Sequence, residues 1–234
     1  MNVVRTAKET ARHLLFRFGI KRNITHLKHK NLEQRFADIY QNGLWSDSER
    51  DVPLFGIGST IEATATLREQ LPKILRDLSA KVFLDVGCGD FTWMCKVQLP
   101  CAYIGVDIVA SVIEKNQSLY SSESRSFKVA DIVASPAPAA DVVLCREVLF
   151  HLSFEDGRSL LRNILSSGCS YLLLTSDKAS SFNSDIDSGD FRLIDLQRRP
   201  FGFPAPLLRI TDAAVSEGRF VGLWSADSIR PLLS

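Results

Sequence analysis

The segment Val82-Phe83-Leu84-Asp85-Val86-Gly87-Cys88-Gly89-Asp90-Phe91 carries the strongest chemical signal in the chain. An apolar run enters a Gly-x-Gly turn, where glycine serves because the backbone angles exclude a side chain and a ligand must approach the main chain closely. Asp107 closes the next apolar run, Tyr103-Ile104-Gly105-Val106-Asp107, 22 residues after Asp85. A carboxylate at such a strand end can accept hydrogen bonds from both hydroxyls of a ribose. Asp131 follows the third run in Val-Ala-Asp-Ile, placed to meet an adenine amino group, with Ile132 against the ring. Each aspartate alone could be a helix cap or a turn former. Their joint spacing is not explained that way. A dinucleotide fingerprint would want Gly or Ala at position 92, where Thr92 stands, so NAD is disfavoured.

A second reactive stretch, Cys145-Arg146-Glu147-Val148-Leu149-Phe150-His151-Leu152, lies just past the fourth apolar run. His151 is the sole histidine beyond residue 29, the others being His13, His26 and His29. An imidazole suits removal of a proton from a hydroxyl. Glu147, four residues earlier, could orient it or help bind a divalent cation such as Mg²⁺. Packing at a turn is the plainer role for such a histidine. Weaker candidates are Ser59, Thr60, Thr64 and Arg68, which line a site mouth or merely build a helix start. Asp185, Asp187, Asp190 and Asp195 could hold hydroxyls or Mg²⁺, although loose Asp/Ser/Gly spacing is more often solvated loop. Phe201, Phe203 and Pro204 are read as core before acceptor wall.

The elements that must carry these residues follow from periodicity. Strands are predicted at Lys81–Val86, Tyr103–Asp107, Ser126–Val129, Asp141–Cys145 and Tyr171–Thr175, and helices near Thr92–Gln98, Ala110–Tyr120 and Phe154–Ser166. Short apolar strands alternating with helices argue an α/β fold, a mostly parallel sheet covered on both faces. Leu207–Ile210 and Arg219–Trp224 read as a closing antiparallel pair. A helix through residue 78 is expected to start at Ser59 or Thr60, with Ser59 and Glu62 as a capping box.

The 234 residues have 45% hydrophobic and 24% charged content, enough for a packed core without disulfide or metal staples. Five cysteines without CxxC spacing fit neither a zinc site nor a disulfide framework, and point to a reducing cytoplasm. Residues 1–30 carry eight basic residues against one acid, while the remainder is net acidic by six charges. A nucleic-acid enzyme would spread basic surface around its site, so a small or neutral substrate is favoured. The expected division is a basic helical extension over 1–40 and a ligand-binding domain over 41–234. In the extension Ala11, Leu14, Leu15 and Phe18 form an apolar face, with Arg5, Lys8, Arg12 and Arg17 mostly off it. Docking on the domain is the plainer reading, and peripheral contact with the inner membrane face or an anionic partner the sharper one.

On Asp85-x-Gly87-x-Gly89, Asp107, Asp131-Ile132 and Asp141-Val-Val-Leu-Cys145, the sequence resembles the class I S-adenosylmethionine-dependent methyltransferases, with their Rossmann-like sheet. The resemblance implies methionine-moiety contact at Asp85 and Gly87, ribose contact at Asp107 and adenine contact at Asp131 and Ile132. It also implies cofactor contacts at Gly89, Asp90, Trp93, Ile108, Cys145 and Arg146. Phe91 replaces the third glycine of the motif, so the exit from the turn must be shaped differently. A narrower likeness, over about residues 43–225, rests on Trp45, Gly58-Ser59-Thr60-x-Glu62-x-Thr64, Cys88-Gly89-Asp90-Phe91-x-Trp93-Met94, Cys145-Arg146-x-x-Leu149-x-His151-Leu152-Ser153 and Pro200-Phe201-x-Phe203-Pro204. It looks like a bacterial methyltransferase group acting on sugars or glycan ends. What this implies is O-methylation of a saccharide hydroxyl with His151 as general base. A small natural product, an amine, or cofactor binding without turnover are the alternatives.

Overall fold

Seven strands form one sheet in the order β3-β2-β1-β4-β5-β7-β6. They are β1 Val82–Val86, β2 Ala102–Asp107, β3 Arg125–Val129, β4 Val142–Cys145, β5 Tyr171–Asp177, β6 Leu208–Thr211 and β7 Arg219–Ser225. The computed structural model describes residues 10–11, 14–16, 18, 24–29, 31–46, 55–179, 182–212 and 214–233. Strands β1 to β5 pair in parallel, and β7 runs antiparallel to both of its neighbours, β5 and β6. The expected closing pair is therefore present.

Alternation along each strand builds two apolar layers. Leu84, Val143, Leu172, Leu174, Phe220 and Trp224 face one layer, while Phe83, Val142, Leu144, Leu173, Val221 and Leu223 face the other. Helices α1 (Leu32–Gln41), α4 (Phe154–Leu165) and α5 (Ala226–Ile229) pack on the first layer; α2 (Ala65–Asp77) and α3 (Ala110–Tyr120) pack on the second. No helix among the described residues is long and apolar enough to cross a membrane.

Two local expectations are corrected. Helix α2 begins at Ala65, and the Ser59 hydroxyl points back, donating to the Phe55 carbonyl, where a capping box would turn it forward to the Glu62 amide. Thr60 instead accepts from the Ala63 amide, and the chain turns once more before the helix starts. The helix expected over Thr92–Gln98 shrinks to a 3₁₀ turn at Met94–Lys96. Phe91 adopts a left-handed backbone (φ 61°), its ring drawn into a cluster with Tyr103, Tyr120 and Phe127 at 5.0–5.2 Å. That anchor and Pro100 leave no length for a helix. Helix α1 docks on the sheet, with Phe36 and Ile39 buried in the first apolar layer. Of the amphipathic segment before it, Leu14, Leu15 and Phe18 are exposed, and Arg5, Lys8, Arg12 and Arg17 lie outside the described residues.

Candidate active site

The sheet order reverses between β1 and β4, which lie side by side although two strands separate them in sequence. Ligands of open α/β sheets bind at the carboxyl ends of strands beside such a switch. A cavity of about 560 Å³ opens there, within the size range of small-molecule sites. Asp85, Gly87, Gly89, Asp90, Trp93, Asp107, Ile108, Asp131, Ile132, Arg146, Glu147 and His151 all line it. Cys145 does not. Its side chain points into the first apolar layer from the last position of β4, the reverse of what the resemblance implies for it.

The glycine turn is fixed from three directions. Gly87 and Gly89 have φ of 74° and 56°, and a Cβ on Gly87 would come within 2.3 Å of Val148. Asn116, fully buried on α3, donates to the Gly89 carbonyl at 2.6 Å. The Asp107 carboxylate accepts from the Gly89 and Val109 amides, each at 3.1 Å. A carboxylate has about four acceptor positions, so two remain for a diol. Asp131 likewise accepts from Val133 and Ala134 while facing the cavity beside Ile132. Two carboxylates that accept hydrogen bonds, with Ile108 and Ile132 as apolar wall, suit the hydroxyls, amino group and ring of an adenosine, and the cavity fits such a group. Asp107→Ala is expected to weaken S-adenosylmethionine binding by ~1.5–3 kcal/mol, read by calorimetry. Unchanged affinity would remove the ribose assignment.

Asp85 is buried, and desolvation raises its pKa to about 7 against the pull of the Tyr103 hydroxyl, which donates to it at 2.9 Å. Burial also raises Asp107, opposed by its backbone hydrogen bonds. Tyr40, on α1, is raised by burial and then by the charge of Asp107, so it stays a neutral phenol on the cavity wall.

His151 sits in the 3₁₀ turn Leu149–His151 beyond β4. Its Nδ1 lies 3.1 Å from the Asp190 carbonyl, which can only accept, so Nδ1 carries the proton and Nε2 keeps a lone pair. Burial pushes its pKa down to about 4, with Arg192 and Arg219 lowering it further against the Asp190 bond. The ring packs 4.3 Å from Trp45 and 5.4 Å from Phe191. Glu147 does not orient it. The Glu147 carboxylate accepts from Arg219 at 2.6 Å, and the same arginine reaches Asp177 at 3.3 Å. Burial raises Glu147, while Arg219 and Arg146 draw it back.

The four loop aspartates are not gathered. Asp185 accepts from the first amide of α4, Asp195 from Gln197, and Asp190 from Phe191. Among the described residues no three His, Cys, Asp or Glu side chains converge as a metal site. Ser59 reaches the cavity, whereas Thr60, Thr64 and Arg68 bond among themselves and to the carbonyls of residues 57, 60 and 61. Phe201 and Phe203 are core.

Sequence reasoning missed three features. The first is the pair of partners that hold Arg146, a residue the sequence did single out: it forms a buried ion pair with Asp212 at 2.7 Å and donates to the Gly58 carbonyl at 2.6 Å. Arg219 enters from β7. The third is a strap across the loop that holds His151. The buried His26 Nε2 lies 2.9 Å from the Gly189 carbonyl, and Arg35 donates to the Ser188 carbonyl at 2.8 Å. The Gly189 amide in turn donates to the His151 carbonyl at 2.7 Å. Deleting residues 1–28 is expected to preserve methyl-donor affinity while speeding amide exchange over 186–191. Unchanged exchange there would show the strap to be dispensable.

Residues 84–166 match the family described as "Methyltransferase domain". The fold is similar to that of human N-acetylserotonin methyltransferase solved with SAM, at a TM-score of 0.59 and 16% identity over 94% of this chain and 67% of that one. The N-methyltransferase NodS from Bradyrhizobium japonicum WM9 aligns at 15% identity and a TM-score of 0.48, over 72% of this chain and 98% of that one. No curated protein matches at the sequence level. Sheet order and glycine turn give the chain the Rossmann-like fold of the class I S-adenosylmethionine-dependent methyltransferases, and the family match lies on the segment from β1 to α4 that carries the cavity's glycine turn and aspartates.

Proposed function

We propose that the protein methylates a hydroxyl oxygen of a saccharide-like or glycan-end acceptor, with His151 as the base that removes the hydroxyl proton. The observation that carries this reading is the His151 ring, uncharged, oriented by the Asp190 carbonyl, and lying against Trp45 in the cavity wall. When bound, S-adenosylmethionine supplies an electrophilic methyl group on a positively charged sulfur. Asp107 would hold its ribose hydroxyls, Asp131 and Ile132 its adenine, and Asp85 with the glycine turn its methionine end. The remaining work belongs to the acceptor side. An alcohol oxygen becomes strongly acidic once it bonds to a methyl group, so even a weakly basic imidazole takes that proton. Near neutral pH a pKa of about 4 keeps the ring unprotonated and ready. The indole face of Trp45 suits the C–H face of a pyranose, and holding the acceptor there supplies proximity to the donor.

A second reading is O-methylation of a small aromatic alcohol, favoured by the cluster of Tyr40, Trp45 and Phe55 with ring separations of 4.6–5.4 Å on the cavity wall. Labelled methyl transfer onto sugar, nucleotide-sugar, lipid-linked glycan, phenol and amine pools, with and without Mg²⁺, tests both. Label in the sugar pools supports the first reading. Label confined to amines overturns the oxygen acceptor altogether.

A further inference from the structure

Among the described residues of the cavity wall, Glu147 alone pairs a left-handed non-glycine backbone with a buried side-chain oxygen that has no hydrogen bond. Its φ is 64°, a left-handed conformation that a residue with a long side chain rarely adopts and that concentrates at functional sites. The turn is held by its own amide, which donates to the Thr175 hydroxyl at 3.0 Å. The carboxylate is then clamped on one side only. Oε2 accepts from Arg219 at 2.6 Å, and Arg219 is itself fixed by Asp177 and by lying 4.7 Å over the Phe150 ring. Among the described residues Oε1 has no hydrogen-bond partner, and it is enclosed beside the cavity that Glu147 lines, so a ligand reaches it by a rotation of the carboxylate about Cγ–Cδ. A buried carboxylate oxygen left without a donor is costly, so a structure that strains its backbone to put one there is built for a donor that arrives later. Gly58 keeps the approach narrow: a Cβ there would lie 3.3 Å from the Glu147 Cγ.

We infer that Glu147 Oε1 receives a hydrogen bond from a second hydroxyl of the acceptor, adjacent to the one that is methylated, so that the substrate is a vicinal diol. This rests on the saccharide reading above and deepens it. Glu147 and His151 bracket one turn of chain beyond β4 and line the same cavity, so one would hold a hydroxyl while the other deprotonates its neighbour. The rival ligand for Oε1 is the ammonium group of the methyl donor.

Glu147→Gln separates these possibilities. Arg219 can bond only to an acceptor, so it selects the amide oxygen of Gln and leaves the NH₂ group where Oε1 stood, a donor in place of an acceptor. The full chain, its Glu147→Gln and its His151→Ala variants are assayed with labelled S-adenosylmethionine on methyl hexopyranosides and their monodeoxy counterparts. Ligand-observed NMR reports pyranoside binding, and calorimetry reports donor binding. Glu147→Gln is expected to lower kcat/KM for the diols about 10–100-fold, to leave the monodeoxy compounds little changed, and to leave donor affinity intact. Equal loss on diol and monodeoxy acceptors overturns the diol inference while the saccharide reading stands. Weakened donor binding assigns Oε1 to the ammonium group and overturns it too. If the wild-type protein neither binds nor methylates any pyranoside, the saccharide reading falls and the inference falls with it.

Discussion

Replacing His151 with alanine is expected to slow methyl transfer about 10²–10⁴-fold while leaving donor affinity nearly unchanged. The geometry explains why the two effects should part. His151 is held by Asp190 and Trp45, and it bonds to none of Asp85, Asp107 or Asp131. Alanine also deletes the ring that packs on Trp45 and Phe191, so His151→Gln serves as the companion variant. Glutamine can still donate to the Asp190 carbonyl but offers no base, and it should be almost as slow. A well-folded His151→Gln that keeps most of its turnover would exclude base chemistry. In the wild type the rate should show no inflexion near pH 6.5. The acid limb should appear only as pH falls toward about 4, where the buried ring finally takes a proton.

Stability carries a matching signature. Between about pH 6.5 and 4 the unfolded chain binds a proton at His151 that the folded chain refuses, so this histidine makes the fold less stable on acidification through that window. Asp85, raised to about 7, acts in the opposite sense, holding a proton in the folded state that the unfolded chain releases. The contribution of His151 is therefore read as the difference in slope between the wild type and His151→Gln.

The second large effect is expected in the fold. Asp212→Ala leaves the Arg146 guanidinium buried with no carboxylate opposite it, the two side chains being 4% and 6% exposed. Breaking a buried pair from one side costs about 3–5 kcal/mol. In a chain of this size that corresponds to a fall in Tm of roughly 6–20 °C, measured by calorimetry. Replacing both members together with apolar residues should recover part of the loss, because the penalty lies in the unpaired charge more than in the missing attraction. A loss below 1 kcal/mol in the single variant would show that water reaches the guanidinium.

What could be read from the sequence divides along physical lines. Strands β1, β2, β4 and β5 were legible because the inner strands of a parallel sheet are buried on both faces, which leaves short apolar runs, whereas the edge strand β3 buries only Phe127; Asp107 and Asp131 stand at or just after strand ends. Gly87 and Gly89 were legible because their backbone angles admit almost nothing else. Arg219 was not. It reaches Glu147 from 72 positions away, and a lone arginine at a strand start carries no local pattern. Asp212 and His26 were hidden for the same reason, with partners 66 and 163 residues distant. Ser59 and the stretch Thr92–Gln98 misled in another way. Their local signals were sound, but a hydroxyl that donates backward and a ring drawn into an aromatic cluster overrode them.

The placement of the three tryptophans has a practical consequence. Trp45 lies on the cavity wall against His151, Trp93 stands beside Arg146 in the same cavity, and Trp224 is wholly enclosed on β7 with its indole N–H donating to the Pro204 carbonyl. Each indole thus stands in a different electrostatic setting, and a variant retaining one of them would emit light reporting a single event. Trp224 would follow the arrival of β7 between β5 and β6 during refolding. Trp45 would follow acceptor entry against a nearby imidazole, and Trp93 would follow the donor beneath a guanidinium. The order in which substrates load could then be timed optically in one chain, with no dye attached.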